Sequence, residues 1–93
     1  MSRAKKVDAN QGEIVSLLRQ LGAKVCITSA VGGGFPDLVV QHRGRTMLVE
    51  IKDGSLPPSR RQLTKDQQVF HSIFDCEIVE SEEDVMRLLS TAQ

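Results

Sequence analysis

The chain has 93 residues, 40% of them apolar and 26% charged, which suits a single globular domain spanning 1–93 and excludes low-complexity and helical membrane-spanning architectures. Its 12 basic residues balance 12 acidic ones, yet Asp75, Glu77, Glu80, Glu82, Glu83 and Asp84 crowd into one late segment that contains no Lys or Arg. The rest of the chain therefore carries +6, which reads either as an ordinary mixed surface or as one able to meet the phosphates of a nucleic acid.

Residues 1–7 are basic and aperiodic, a mobile arm that touches phosphates or a plain disordered terminus. No apolar leader follows, so the expected location is the cytoplasm, without secretion or a membrane. A first helix is predicted from about Ala9 to Leu21, capped by Asp8 or Asn10. Ile14, Leu17, Leu18 and Leu21 form its apolar stripe, and Gly22 stops it. Glu13 borders that stripe; as a first-turn acid it suits the helix dipole. A first strand, Lys24 to Thr28, leads to Gly32-Gly33-Gly34, read as a flexible loop or a place where a phosphate backbone comes close. The second and third strands, Leu38 to Gln41 and Thr46 to Lys52, flank a short polar turn. A Gly/Pro/Ser loop over 53–62 has a basic tip, and Thr64-Lys65-Asp66-Gln67 fits a capping box that opens a second helix. Val69 or Phe70, with Ile73 and Phe74, supply that helix's apolar side. A fourth strand runs from Cys76 to Val79, and Ser81 starts a third helix carrying Val85, Met86, Leu88 and Leu89. Cys26 and Cys76 lack metal-ligand spacing and read as buried thiols; His42 and His71 have no metal-spaced partner and read as structural.

The chemistry concentrates between Gly34 and Lys52. Asp37, Glu50 and Lys52 interrupt strands that are otherwise apolar, and a buried charge is costly unless paired or bound to a metal. Strand alternation puts Glu50 and Lys52 on one face, and a hairpin centred near Gly44 places Asp37 roughly opposite Glu50. Two carboxylates are the oxygen ligands that magnesium takes, and a lysine beside them can position a water or neutralise a phosphate. A structural ion pair on a non-catalytic nucleic-acid-binding module is the competing reading.

Pro36-Asp37 followed by Glu50-Ile51-Lys52 resembles the PD-(D/E)XK nuclease signature, and the αβββαβα order resembles its restriction-endonuclease-like α/β core, a mixed four-stranded sheet flanked by helices. With Gly34-Phe35-Pro36-Asp37 and Leu63-Thr64-Lys65-Asp66-Gln67 added, the chain from Asp8 to Leu89 is similar to the VRR-Nuc family, above all its small stand-alone viral type. Phe70 stands where that family often has Trp. The resemblance implies a Mg2+- or Mn2+-dependent endonuclease, acting as a homodimer on branched double-stranded DNA such as a Holliday junction, without an organic cofactor. A flap-directed or sequence-directed nuclease of the same fold is the alternative. It implies Glu13, Asp37, Glu50 and the Ile51 carbonyl as metal ligands, and Asp37, Glu50, Lys52 and Gln67 as the catalytic set. Lys5, Lys6, Arg43, Arg45, Arg60, Arg61 and Lys65 are the candidate DNA-binding residues.

Overall fold

Each turn of chain direction has a local cause. The structure, a computed structural model, describes residues 7–90. Helix α1 (Gln11–Gln20) ends in a Schellman motif: the Gly22 N–H donates to Arg19 O (3.1 Å), the Ala23 N–H donates to Leu18 O (3.0 Å), and Gly22 adopts φ +92°. Strand β1 (Lys24–Ile27) follows. Strands β2 (Leu38–His42) and β3 (Arg45–Ile51) are joined by Arg43 and Gly44 at φ +53° and +78°, the two left-handed residues of a type I′ hairpin turn. This turn is tighter than the polar stretch suggested, and it fixes the register without slack: Leu38 faces Val49 and His42 faces Arg45.

The sheet order is β1-β2-β3-β4, with β1 antiparallel to β2 and β4 (Cys76–Val79) parallel to β3. The crossover between β3 and β4 carries a short 3-10 turn (Pro58–Arg60) and helix α2 (Lys65–Ile73). Helix α3 (Glu82–Ser90) closes the order αβββαβα. One face of the sheet is the core: Leu38, Val40, Met47, Val49, Ile51 and Val79 are covered by Ile14, Val15 and Leu18 of α1 and by Val85 and Leu88 of α3.

Three expectations change. The buried face of α1 is Gln11, Ile14, Val15 and Leu18, while Leu21 is exposed. At 3.6 residues per turn, that is a rotation of about 60° from the expected stripe. Helix α2 covers little of the sheet: Gln67 is its buried residue, and Val69, Ile73 and Phe74 face solvent. Cys26, on an edge strand, is exposed and Cys76 is half-buried; neither forms a disulfide. The Lys5, Lys6 and basic-arm assignments lie outside the described residues. Among the described residues, no helix is long and apolar enough to cross a membrane.

Candidate active site

Burial along β3 alternates until Val49, then stops alternating: Val49, Glu50, Ile51 and Lys52 are all buried. One side of this stretch rests on the core, and the first turn of α2 covers the other. The two charged side chains are thus enclosed at the end of the sheet.

Asp37 is positioned from β1. The Thr28 N–H donates to Asp37 O (2.7 Å) and the Thr28 hydroxyl donates to Pro36 O (2.8 Å). The side chain is 3% exposed, and its Oδ2 accepts the Ile51 N–H at 2.8 Å. That bond is why the carboxylate can be buried: it accepts from a backbone donor at the end of the hairpin, where β2 no longer supplies an acceptor. The N–H and C=O of one extended residue project to the same strand edge, so the Ile51 carbonyl lies on the Asp37 side. The β2–β3 register, carried one step beyond Leu38–Val49, sets Asp37 opposite Glu50, as the hairpin reading expected.

Glu50 is 1% exposed. Its Oε2 accepts the Gln67 Nε2–H at 3.0 Å and lies 3.9 Å from Lys52 Nζ. Lys52 is 9% exposed and donates from Nζ to Gln67 Oε1 at 2.9 Å. Gln67, 4% exposed, therefore stands between acid and base. Its Oε1 also accepts the Thr64 N–H (2.9 Å), while the Gln67 N–H donates to Thr64 Oγ1 (3.2 Å). The capping box and the site contact exist together at this residue. Gly34 explains how the turn comes so near: at φ +88°, a Cβ there would fall 2.4 Å from Asp66 O. The glycine run thus serves close packing against α2 at Gly34, while Gly32 and Gly33 have open space around them. The Phe35 and Phe70 rings meet edge-on at 5.3 Å, so Phe70 packs as expected.

Helix α1 contributes differently from expectation. Asn10 makes no side-chain cap; its Nδ2–H instead donates to Lys52 O (3.1 Å) and Glu80 O (3.3 Å), tying the helix start to the ends of β3 and β4. Glu13 is not brought to Asp37 and Glu50. The rotated face leaves it exposed, lining a cavity of about 380 Å³ with Asp53, Glu80, Glu82 and Asp84. Asp53 there is held below the usual carboxylate range by the Ser55 hydroxyl and N–H. Gln11 was not a candidate, yet it is buried, donating to Ser29 Oγ at 3.1 Å. Its place three residues before Ile14 was the available signal. Among the described residues, no three of His, Cys, Asp and Glu converge on a metal position. What remains is two carboxylates and a backbone carbonyl, and that set fits a hard divalent cation, which takes one or two carboxylates and completes its shell with water and phosphate.

The basic candidates divide. Arg61 is engaged internally, donating to Leu56 O (2.7 Å) and pairing with Glu80 at 3.0 Å; Arg45 lies 3.6 Å from Glu77. Arg60 and Lys65 are exposed on the segment leading into α2. Arg43 and Arg45 sit at the hairpin tip, about 17 Å from Glu50 at strand rise. His71, on α2, has a buried Nε2 with no hydrogen-bond partner, and burial, then the Lys52 charge, lowers its pKa. Burial, followed by Glu50 and its acidic neighbours, pushes the Cys76 thiol up.

The sequence matches no family model and no curated relative. One solved structure, described as a VRR_NUC domain, is similar over 92% of this chain and 100% of its own, at 26% identity and a TM-score of 0.58.

Proposed function

The chain belongs to the VRR-Nuc family, a nuclease group of the PD-(D/E)XK type, and we propose that it is a divalent-metal-dependent endonuclease nicking branched double-stranded DNA, with the four-way junction as substrate. The observation that carries this reading is the pair of buried carboxylates, Asp37 and Glu50, level with each other on a hairpin, with Lys52 joined to Glu50 through Gln67. A magnesium or manganese ion held by Asp37, Glu50 and the Ile51 carbonyl would supply an acidified water and positive charge for the scissile phosphate. Lys52 Nζ orients the attacking water and offsets phosphate charge. The water oxygen bonds to phosphorus, the bond from phosphorus to the leaving sugar oxygen breaks, and that oxygen departs with a proton.

Arg60 and Lys65 contact flanking phosphates, which place the duplex without reading its sequence. Resolving a four-way junction takes two nicks in symmetry-related strands, which suits a two-fold pair of chains. The exposed apolar surface of Val69 and Ile73 on α2, with Phe74 just beyond it and Ile78 of β4, is the face that would join them.

The test is cleavage of labelled four-way junction, flap and linear duplex by the purified protein in magnesium. Paired, symmetric nicks in the junction are expected. Preferential flap cutting would change the substrate. Tight binding with no cutting in either magnesium or manganese would favour the non-catalytic binding module instead.

A further inference from the structure

We propose that Thr64 is a positioning residue of the nuclease centre: through the capping box it sets the Gln67 amide, and with it the placement of Lys52 Nζ and Glu50 Oε2. This rests on the nuclease reading and adds to it a residue that touches neither DNA nor metal.

An amide side chain has a donating end and an accepting end, and rotation exchanges them. At Gln67 the accepting end is filled from two directions, by the Thr64 N–H at 2.9 Å and by the Lys52 ammonium at 2.9 Å. A carbonyl oxygen has two lone pairs, so Oε1 is saturated, and Nε2 is left to donate to Glu50 Oε2 at 3.0 Å. Of these partners, Lys52 and Glu50 are the groups that chemistry engages. Thr64 is the fixed one, because its own hydroxyl accepts the Gln67 N–H at 3.2 Å and closes the loop. A glutamine has three side-chain torsions; here the cap restrains both ends, backbone and amide tip. The turn itself is seated on the loop that delivers Asp37, with Gly34 against the Asp66 carbonyl and Phe35 against Phe70. The device that starts α2 therefore also orients the lysine and the acid.

The experiment compares Thr64→Ser and Thr64→Val, each in the wild-type and Gln67→Ala backgrounds. It reads the single-turnover nicking rate, the half-saturating junction concentration, the thermal midpoint and the Gln67 side-chain amide signals by NMR. Thr64→Ser, which retains both bonds, should stay within about twofold of wild type. Thr64→Val should lower the rate about tenfold, the equivalent of a lost cap, with half-saturation unchanged. In the Gln67→Ala background it should lower the rate no further. Equal losses with and without Gln67 would overturn the proposal, since Thr64 would then act by stability alone, as would an unchanged rate in folded Thr64→Val. If the wild type fails to cut any DNA, the nuclease reading falls. The amide signals still decide the Thr64–Gln67 link: a Gln67 amide that does not move in Thr64→Val refutes it.

Discussion

Helices α1 and α2 are nearly equal in length, 10 and nine residues, and both pattern as amphipathic, yet they are held by opposite means. Helix α1 drives Ile14, Val15 and Leu18 into the core against Leu38, Val40 and Val49. Helix α2 leaves Ile73 69% exposed and is anchored by the Gln67 amide and the Gly34 contact at its first turn and by the Phe35–Phe70 ring pair one turn on. A helix held by area stabilises the fold; one held by a few polar bonds to Glu50 and Lys52 shapes the candidate site and contributes less to stability. The difference also leaves the far side of α2 available for a second chain.

The largest expected effects lie in the site that α2 covers. Asp37→Asn and Lys52→Ala should each lower the nicking rate by at least about a hundredfold, read by junction cleavage, while gel-shift binding of the junction persists. Parallel loss of binding and cutting would mean that the charges serve the fold instead. On the α1 side, Leu18→Ala should remove about 2–5 kcal/mol of stability, lowering the melting midpoint by about ten degrees or more; below that midpoint the nicking rate should hold. Should Leu18→Ala melt near wild type, α1 would not be the helix held by area. Manganese gives a smaller, diagnostic effect. Several millimolar should raise the wild-type midpoint, since a ligand of the folded state alone adds stability, and the rise should vanish in Glu50→Ala but survive in Glu13→Ala. Survival in Glu50→Ala would mean that the cation does not bind at the Asp37–Glu50 pair.

On the outer face of α2, Ile73→Glu should turn a dimer into a monomer by light scattering, with the monomer's melting curve little changed. The smallest effect expected concerns pH. His71 titrates below its ordinary 6.5 because burial, and then Lys52, disfavours the imidazolium. The unfolded chain then binds more protons than the folded one, so stability is full above about pH 6.5 and declines as pH falls through the lowered value. His71→Asn should flatten that decline by about 1–2 °C in melting midpoint.

Much of this was legible in residue order because it is local. Alternation and a short turn were enough to set Asp37 level with Glu50, since a hairpin's register follows from where it turns. The capping box at Thr64 and the left-handed stop at Gly22 were likewise written in a few adjacent residues. Glu13 and Gln11 were not legible. Helical periodicity gives the shape of a stripe but not the angle at which it seats, and a rotation of about 60° exchanged an expected ligand for a buried amide. Arg61 read as a DNA contact because the sequence does not bring Glu80 beside it.

Residue order was thus enough for the hairpin, the two facing carboxylates, the lysine beside them and the start of the helix that follows, because each depends on neighbours in the chain. Packing between distant segments settled that Gln67 joins Lys52 to Glu50 while capping its helix, that Glu13 turns outward, and that α2 keeps its apolar side exposed. Those outcomes depend on how segments distant in sequence saturate one another's donors, acceptors and apolar surface, and such competition is settled only when the whole fold closes.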